Sequence, residues 1–366
     1  MNITQKTVIS LIKSALYKEK TVLPEEFDYN EFKAIVDRQN ISGLMYFGLY
    51  HSGIEIPKWL TVKFQVNMGL LENLWYKNNE IQESLKKEGI EYIPLKGIVL
   101  KDLYPSPYMR QMSDVDILIH EKDHKTKIRP IMLSLGYTEG IESDHELHWI
   151  KDRQLIEFHK RIIPSYNKDF YRVIGDGFEW IKDHEYEYIF THFAKHYRDS
   201  GIGISHLVDL EILREQATDK GLKELHLDKF YDNVQRTLDC WFKDREFDDV
   251  TARITDTIFK SGEYGTKATS LKSRNLKKIN AANGDAKTAR TKDFMRLIFP
   301  PYSAMKMRNP VLKKLPVLLP FFWSWRIICS PFKGRIGDVY RENRSITTED
   351  LSYKEELNAV GLDFWF

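Results

Sequence analysis

The feature that most constrains the fold is a pair of short apolar runs, each flanked by segments with helical spacing. The first run covers residues 91–95, and Lys96-Gly97 separates it from a helical spacing over residues 98–103. The second run covers residues 115–119 and is rich in β-branched side chains. Apolar runs of this length favour strands, and a glycine break before a helical spacing predicts a strand, a tight turn and a helix.

Two more strands are predicted after a helical segment. Residues 121–135 have helical spacing and end at Gly136, which is typical of a helix C-cap. Residues 146–150 and 154–158 are short apolar runs with polar residues between them, which predicts a hairpin. Together these elements predict a small mixed α/β unit over residues 89–163.

Three carboxylates are expected on this sheet. Asp114 and Asp116 are two residues apart at the start of the second strand, so both side chains lie on one face. Glu157 and His159 share a face of the last strand in the same way. Paired carboxylates can hold a divalent cation such as Mg²⁺, although Asp-x-Asp pairs are also common at strand ends without a metal.

Helical spacing dominates the rest of the chain. Apolar residues recur at helical intervals in five segments, namely 8–16, 59–87, 188–196, 204–214 and 230–242. We therefore predict an α+β fold in which a small mixed-sheet core is flanked by helical N-terminal and C-terminal segments.

Three domains are predicted from these changes of pattern. They are a helical subdomain at residues 1–88, the mixed-sheet core at 89–163 and a mostly helical domain at 164–366. Residues 262–292 are basic with few apolar side chains, which predicts a solvated, mobile loop within the last domain.

The composition excludes several classes of protein. The chain has 366 residues, of which 42% are hydrophobic and 30% charged, as in folded globular proteins. A net charge of +2 gives no overall basic field, so nucleic acid is not expected as a partner. Cys240 and Cys329 are the only cysteines, and residues 1–20 lack the apolar segment of a signal peptide. A cytoplasmic location is therefore expected.

The most apolar segment covers residues 311–332. Pro316 and Pro320 interrupt it, and its uncharged part is shorter than the roughly 20 apolar residues of a membrane-spanning helix. A buried, turn-rich segment is the favoured interpretation. The alternative is a peripheral membrane contact through four aromatic side chains, Phe321, Phe322, Trp323 and Trp325, flanked by Lys313, Lys314 and Arg326.

The order of Lys96-Gly97, Asp114, Asp116 and Glu157 resembles the nucleotidyltransferase superfamily that includes polymerase beta and the aminoglycoside nucleotidyltransferases. The resemblance implies that Gly97 lets the backbone approach the triphosphate of an NTP. It also implies that Asp114, Asp116 and Glu157 are catalytic and hold Mg²⁺, with two ions as in a two-metal displacement. Glu157 would help an acceptor hydroxyl attack the α-phosphorus, and pyrophosphate would leave.

A closer resemblance is to the bacterial family of uncharacterised nucleotidyltransferases. That family couples a Leu-Lys-Gly turn to an Arg-x-x-x-Asp-x-Asp strand, as found here at residues 95–97 and 110–116. Residues 157–159 match its acid-x-His strand, and residues 191–196 match a histidine-bearing helix. The similarity extends over about residues 30–330 and includes two glycine-containing segments, 201–204 and 261–265.

The expected nucleotide-binding residues are Lys96, Gly97, Arg110 and Ser113. Lys96 would contact a phosphate oxygen as a point charge and Arg110 as a fork, although both also fit surface or salt-bridge positions. His192 and His196 lie four apart on one helical face, but no third zinc ligand accompanies them at a useful spacing. Together with His159 and Lys195, they are expected in a substrate cleft.

These features predict a Mg²⁺-dependent enzyme that moves an NMP group from an NTP to a hydroxyl of a small-molecule or protein acceptor. The alternative is a non-catalytic nucleotide- or protein-binding module on the same fold. Replacing Asp114 or Asp116 with Asn is expected to abolish transfer while leaving the fold nearly as stable. Asp144 and Glu146 are the next candidates should Glu157 not be the third carboxylate. Acceptor, base preference and oligomeric state do not follow from the sequence.

Overall fold

Two compact units make up the chain in the computed structural model, which describes residues 1–120, 123–143, 145–162, 172, 174–175, 177–218, 221–329 and 343–363. One unit comprises residues 1–266 and 359–366, and the other comprises residues 267–358. The predicted limits near residues 88 and 163 fall within the first unit. They mark changes of secondary structure, and as domain boundaries they stay predictions.

Four α-helices precede the sheet, and side-chain caps explain where the first two begin. Asn2 accepts a hydrogen bond from the backbone N–H of Gln5, and Asp28 accepts from the first turn of the second helix. The helices are α1 (Ile3–Tyr17), α2 (Tyr29–Gln39), α3 (Ser42–Ser52) and α4 (Lys58–Lys87). The helices predicted over residues 8–16 and 59–87 are confirmed as parts of α1 and α4.

The first unit contains a five-stranded sheet with the spatial order β1-β2-β5-β4-β3. Its strands are β1 (Tyr92–Leu95), β2 (Asp114–Ile119), β3 (Thr138–Glu142), β4 (Glu146–Lys151) and β5 (Gln154–His159). β2 and β5 are parallel, and the other neighbouring pairs are antiparallel. The predicted α+β fold with a small mixed sheet is therefore confirmed.

Short helical elements connect the strands. The tight turn after β1 leads into α5 (Gly97–Leu100), as predicted. In the predicted helix over residues 121–135, a π-helical turn at His124–Ile128 continues into α6 (Arg129–Ser134), while residues 121–122 lie outside the described residues. Between β4 and β5, Asp152 and Arg153 both have positive φ angles, as the central residues of a type I′ hairpin turn do.

The two faces of the sheet differ in chemical character. One face is apolar, and its buried side chains, among them Ile117, Trp149 and Phe158, form a core with Leu74 and Ile81 of α4. The opposite face, here called the polar face, carries ionisable side chains at alternate strand positions. They are Asp114 and Asp116 of β2, Glu157 and His159 of β5, and Glu146 and His148 of β4.

After the sheet, the described residues of the first unit form four more long α-helices. They are α7 (Glu185–Asp199), α8 (Ile204–Ile212), α9 (Asp228–Phe242) and α10 (Asp249–Ser261). Buried aromatic residues, among them Phe190, Phe193 and Phe230, pack α7 against α9. The helical segments predicted at 188–196, 204–214 and 230–242 correspond to α7, α8 and α9.

The second unit is helical, and its first part corrects the prediction of a loop over residues 262–292. Most of that segment forms α11 (Lys267–Asn280) and α12 (Ala286–Ile298). The loop prediction is wrong because a few small or apolar residues, among them Ile279, Ala286 and Ala289, suffice for a core. Asp285 also caps α12 by accepting hydrogen bonds from the backbone N–H groups of Lys287 and Thr288.

The prediction for the apolar segment is corrected in part, because the segment contains turns as predicted but is mostly not buried. After α13 (Tyr302–Arg308), its described part forms two short 3₁₀ turns and then α14 (Leu319–Cys329), of which no residue is buried. The last helix of the unit is α15 (Ser352–Asn358). Within the described residues, every helix is too short or too polar to traverse a lipid bilayer.

Candidate functional site

The polar face gathers carboxylates and histidines at adjacent strand positions. In the parallel register of β2 and β5, Asp116 lies opposite Glu157. In the antiparallel register of β4 and β5, Glu146 lies opposite His159, and His148 lies opposite Glu157. The hairpin places β5 beside β2, so side chains that are distant in sequence become neighbours.

Asp116 is the most enclosed carboxylate of this face, with 4% of its surface exposed. Lys96 Nζ and His159 Nε2 each lie 2.7 Å from the same oxygen, Oδ1. Burial alone would raise the pKa of Asp116, but the Lys96 charge and the hydrogen bond with His159 hold this pKa well below its usual range. Asp116 is therefore ionised, and Lys96 is its partly buried counter-charge.

Lys96 has a backbone conformation that is unusual for a residue with a side chain. Its φ of 53° and ψ of −129° fall in a region that glycine adopts readily and other residues avoid. Such conformations typically cost about 1–3 kcal/mol and cluster at functional sites. At the next residue, a Cβ on Gly97 would meet the Met112 side chain at 3.4 Å, an ordinary contact. Packing alone does not require glycine there, and the role of Gly97 beside a triphosphate stays a prediction.

Glu157 and Glu146 both contact histidines, yet their acidities differ. Glu157 Oε1 lies 3.4 Å from His148 Nε2, and Oε2 lies 3.6 Å from His159 Nε2. Burial, reinforced by neighbouring carboxylates, raises the pKa of Glu157 to about 8. A hydrogen bond with His145 lowers the pKa of Glu146 to about 2. Glu157 is thus the carboxyl of this face that gives up its proton least readily.

The described residues contain two groups of three side chains whose ligand atoms lie within 4.8 Å of one another. The groups are Asp116, Glu157 and His159, and Glu146, His148 and Glu157. Glu157 belongs to both groups, whereas Asp114 belongs to neither. In addition, the buried Nδ1 of His159 has no hydrogen-bond partner among the residues that the structure describes, and it lies 3.9 Å from Glu146 Oε2. Carboxylate oxygens suit Mg²⁺, and added imidazole nitrogens suit transition metals, so these donors fit a divalent cation.

Asp114 begins β2 and has a different environment from Asp116. Burial and the charge of Asp116 raise the pKa of Asp114 to about 6. The adjacent Ser113 is exposed, and its Oγ lies 3.2 Å from the hydroxyl of Tyr264, which follows α10. The two aspartates, which have the same role in the sequence prediction, therefore differ in the structure. Asp116 is buried and paired, whereas Asp114 lies at the open end of the strand.

Arg110 is held by a carboxylate from another element. Its Nε lies 2.7 and 3.1 Å from the two oxygens of Asp209 on α8. The guanidinium also donates to the backbone carbonyl of Gln111, and the Tyr104 hydroxyl donates to Asp209 at 2.7 Å. Arg110 therefore anchors the segment between α5 and β2 to α8. Phosphate binding by Arg110 stays a prediction, now with a structural role beside it.

Helix α7 carries the remaining residues predicted for a cleft. Tyr188 is buried near the sheet, where the charges of Lys96 and Asp116 act on it. His192, Lys195 and His196 are only partly buried. Burial and the charge of Lys96 lower the pKa values of His192 and Lys195, which shows that these two side chains lie near Lys96. The structure therefore brings α7 beside the polar face.

His206 of α8 joins two of these histidines in a cluster. The ring centroids of His192 and His196 are 4.3 Å apart, and each lies 6.3 Å from the His206 ring. Burial, together with the other positive groups, lowers the pKa of His196 and of His206 to about 3. The cluster is uncharged at neutral pH and offers hydrogen-bonding imidazoles next to Lys96.

A close approach of two turns positions Tyr264. Gly201 has a φ of 85°, and a Cβ there would lie 2.2 Å from Ser261 Oγ. Gly265 has a φ of 72°, and a Cβ there would lie 2.2 Å from the carbonyl oxygen of Ser200. Glycine is required at both positions, and the contact fixes the turn that carries Tyr264.

Sequence reasoning missed four residues of this region, namely His148, Tyr188, His206 and Tyr264. His148 had a usable signal, because it alternates with Glu146 on a predicted strand and so shares its face. Tyr188 and His206 had no usable signal in the sequence, because only the packing of α7 and α8 brings them near the sheet. Glu146, the reserve candidate for the third carboxylate, is part of the site, while Asp144 lies outside the described residues.

The fold and the site define an α+β protein with a carboxylate-rich sheet face next to a strand, turn and helix. A family model described as uncharacterised nucleotidyltransferase matches residues 25–242, more than half of the chain. The match includes all five strands and helices α7 and α8. The chain belongs to this uncharacterised nucleotidyltransferase family, which confirms the resemblance seen in the sequence and supports nucleotidyl transfer as its general activity. Searches of curated proteins and of solved structures returned no match.

Proposed function

We propose that this protein transfers a nucleoside monophosphate from an NTP to a hydroxyl acceptor in a Mg²⁺-dependent reaction. The observation that carries the proposal is the β2–β5 register, which places Asp116 opposite Glu157. The turn at Lys96-Gly97 lies beside this pair, since Lys96 contacts Asp116. Carboxylates next to a turn of this kind are what transfer of a nucleotidyl group requires.

Asp116 and Glu157 are the residues that we assign to the metal, with Asp114 at the open end of β2. Their fit rests on the convergence of Asp116 and Glu157 oxygens within 4.8 Å and on the unpartnered Nδ1 of His159 beside them. When bound, Mg²⁺ neutralises phosphate charge and orients the transferred group, and two-metal sites add a clamp on the attacking and leaving oxygens.

The side chains of the chain itself have separable tasks in this proposal. Lys96 keeps Asp116 ionised and fixed, because its ammonium lies 2.7 Å from Oδ1. His159 holds the same oxygen from the other side, which limits the rotation of the carboxylate. Glu157 assists removal of the proton from the acceptor hydroxyl, the role implied by the family resemblance.

We assign the substrate cleft to the region between the polar face and α7. Lys195 and the uncharged rings of His192 and His196 supply donors for phosphate or acceptor oxygens there. The acceptor class is a hydroxyl on a small molecule or on a protein, and both remain within the proposal. Ser113 is exposed at the end of β2, where its hydroxyl can reach a bound nucleotide.

Thermal shift with each of the four NTPs, with and without Mg²⁺, tests the proposal. A ligand that binds only the folded state raises the melting temperature, so a Mg²⁺-dependent increase is expected for at least one NTP. This increase should be lost in Glu157→Gln, which removes the shared ligand. Glu139→Gln is the matched control, since Glu139 lies on the exposed edge strand β3 and pairs only with Arg129 in the described residues.

Transfer itself is tested by pyrophosphate release and by the intact mass of the protein and of candidate acceptors. Product formation by the wild type, lost in Glu157→Gln and retained in Glu139→Gln, is the expected result. The absence of Mg²⁺-dependent stabilisation by every NTP, together with no pyrophosphate release, would contradict the proposal.

A non-catalytic binding module is the second candidate, and one observation favours it. Lys96 and His159 already satisfy Asp116 Oδ1, so the site is compatible with a stable protein that needs no cation. In that case an NTP would stabilise the protein equally with and without Mg²⁺, and no product would form. The Mg²⁺ dependence of the thermal shift therefore separates the two candidates.

A further inference from the structure

The second unit exposes a row of large apolar side chains, here called the apolar stripe. It consists of Val317, Phe321, Trp325 and Ile328, whose surfaces are 79%, 61%, 58% and 64% exposed. Phe321, Trp325 and Ile328 are spaced i, i+4 and i+7 along α14, so they lie on one side of the helix. Large apolar side chains that are contiguous and exposed in this way mark interaction surfaces rather than ordinary protein exterior.

The stripe has a fixed orientation in the second unit. Trp323 lies on another side of α14, where its indole N–H donates to the Pro300 carbonyl at 2.9 Å. Its ring also makes an edge contact with Phe299, with a centroid distance of 5.4 Å. The side of α14 that carries Trp323 is thus attached to the segment before α13, and the stripe is left on the free side.

The chain segment that carries the stripe has charged residues of a single sign. Residues 294–329 contain no acidic residue and six basic ones, which are Arg296, Lys306, Arg308, Lys313, Lys314 and Arg326. Within the described residues, Lys313, Lys314 and Arg326 form no ion pair, and Lys306 lies over the Tyr302 ring. Exposed apolar and aromatic side chains in the same segment as unpaired cations match the chemistry of an anionic lipid surface.

We propose that the apolar stripe inserts into the headgroup region of an anionic membrane while the neighbouring lysines and Arg326 contact lipid phosphates. The helix lies in the membrane surface and does not cross it, since α14 has only 11 residues. Trp325 suits this interfacial position because an indole combines an apolar ring with one polar N–H. This inference does not depend on the proposed nucleotidyl transfer.

Charge decides between a membrane and a second copy of the chain as the occupant. Two stripes facing each other would bring two sets of unpaired cations together, and like charges at an interface oppose association. An anionic bilayer supplies the opposite charge along the whole segment. We therefore assign the stripe to lipid and treat self-association as an outcome of the test.

Vesicle flotation of the full chain tests this assignment. Vesicles of phosphatidylcholine alone are compared with vesicles that also contain about 30 mol% phosphatidylglycerol, at low salt and in about 0.5 M NaCl. The wild type should float with the anionic vesicles at low salt and bind them roughly 10-fold more weakly in high salt. Phe321→Ser/Trp325→Ser should lose binding, and Lys313→Gln/Lys314→Gln should weaken it several-fold.

A matched control comes from exposed apolar residues elsewhere. Val66→Ser/Tyr76→Ser removes two exposed side chains of α4, which are 58% and 70% exposed, and should leave vesicle binding unchanged. Nucleotide-dependent thermal shifts should be the same in all of these variants, which separates this test from the site on the sheet. Equal binding to neutral and anionic vesicles, or flotation that survives Phe321→Ser/Trp325→Ser, would overturn the proposal. So would concentration-dependent self-association that needs the stripe, without flotation.

Discussion

The polar face of the sheet and the apolar stripe of α14 both depart from the usual rule that charged residues are exposed and apolar residues are buried, but in opposite ways. On the sheet, charge is buried, because Asp116 is 4% exposed and its counter-charge Lys96 lies 2.7 Å away. On α14, apolar surface is exposed, with Trp325 at 58%. Buried charges are compensated by partners within the fold, whereas the stripe mostly contacts solvent.

This difference indicates which substitutions should lower the stability of the folded state. Removing one partner of a buried ion pair lowers the stability of the protein strongly. The remaining charge loses its partner in a medium that solvates it poorly. An exposed apolar side chain contributes little to the stability of the folded state, because it is in contact with water both before and after folding. The two regions should therefore respond very differently to substitution, although both are assigned to function.

The largest effect is expected for Asp116→Asn. This substitution leaves the Lys96 ammonium without a carboxylate, so the free energy of unfolding should fall by about 3 kcal/mol. Urea denaturation measures this loss. The sequence alone led us to expect nearly unchanged stability, and the ion pair in the structure is the reason to revise that expectation.

Two variants make this prediction specific. Asp114→Asn should not lower the free energy of unfolding, because burial and the charge of Asp116 disfavour the carboxylate charge that this substitution removes. Lys96→Met/Asp116→Asn should recover part of the stability without restoring transfer. Equal losses in the two aspartate variants would show that the pairing of Asp116 with Lys96 does not matter for folding.

A second prediction concerns acid sensitivity at His206. Burial lowers its pKa from 6.5 to about 3 in the folded state. The unfolded chain therefore takes up a proton first as pH falls, and this contribution to stability is complete above pH 6.5 and is lost progressively towards pH 3. At pH 5, His206→Asn should restore about 1–2 kcal/mol of the stability that the wild type loses between pH 7 and pH 5.

His226→Asn is the control for this measurement. His226 is exposed and has a positive φ of 57°, a conformation that asparagine tolerates well. Denaturation curves at pH 7 and pH 5 should be affected by the His206 variant only. An identical loss of stability between pH 7 and pH 5 in both variants would show that the acid sensitivity arises outside the histidine cluster.

A smaller effect is expected from the strained backbone at Lys96. Lys96→Gly and Lys96→Ala both remove the ion pair with Asp116, but only glycine accepts a φ of 53° without strain. The glycine variant should therefore be more stable than the alanine variant by about 1 kcal/mol. The same two substitutions at Lys101, where φ is −52°, should give the opposite order. Alanine more stable than glycine at both positions would contradict the assigned strain.

The smallest effect is expected on α14. Phe321→Ser/Trp325→Ser should change the free energy of unfolding by less than about 0.5 kcal/mol per residue, because neither side chain is buried. Chemical denaturation in the absence of lipid is the measurement. A loss as large as that in Asp116→Asn would mean that the stripe belongs to a core, and the contrast between the two regions would disappear.

Much of the sheet could be predicted because its signals are local. The β-branched run of β2, the glycine break after β1 and the alternation in β4 and β5 each occupy fewer than about eight residues. β3 was missed because Thr138–Glu142 has two glutamates and a glycine, a composition that an exposed edge strand tolerates but that gives no apolar pattern. The helices over 267–298 were missed for a related reason, since their core relies on alanines.

For the candidate site, local patterns predicted that Asp116, Glu157 and His159 face the same side of the sheet, but not which contacts each of them makes. Asp114 and Asp116 carry the same signal, and only the position of Lys96 distinguishes them. Arg110 was expected to meet phosphate, whereas in the folded chain Asp209, 99 residues later, accepts its hydrogen bonds. No spacing rule predicts that contact, because it depends on where α8 packs.

Local patterns in the sequence were enough to predict four of the five strands, the turn at Lys96-Gly97, the hairpin and the resemblance to a nucleotidyltransferase family, because each of these rests on a short pattern or a motif. The folded chain was needed to show that β5 pairs with β2, that Lys96 neutralises Asp116 and that α14 leaves its apolar stripe exposed. The physical reason is that pairing register and burial are set by contacts between distant segments. The apolar face of the sheet must be covered by α4 and α6, and the polar face then follows from the alternation of the strands.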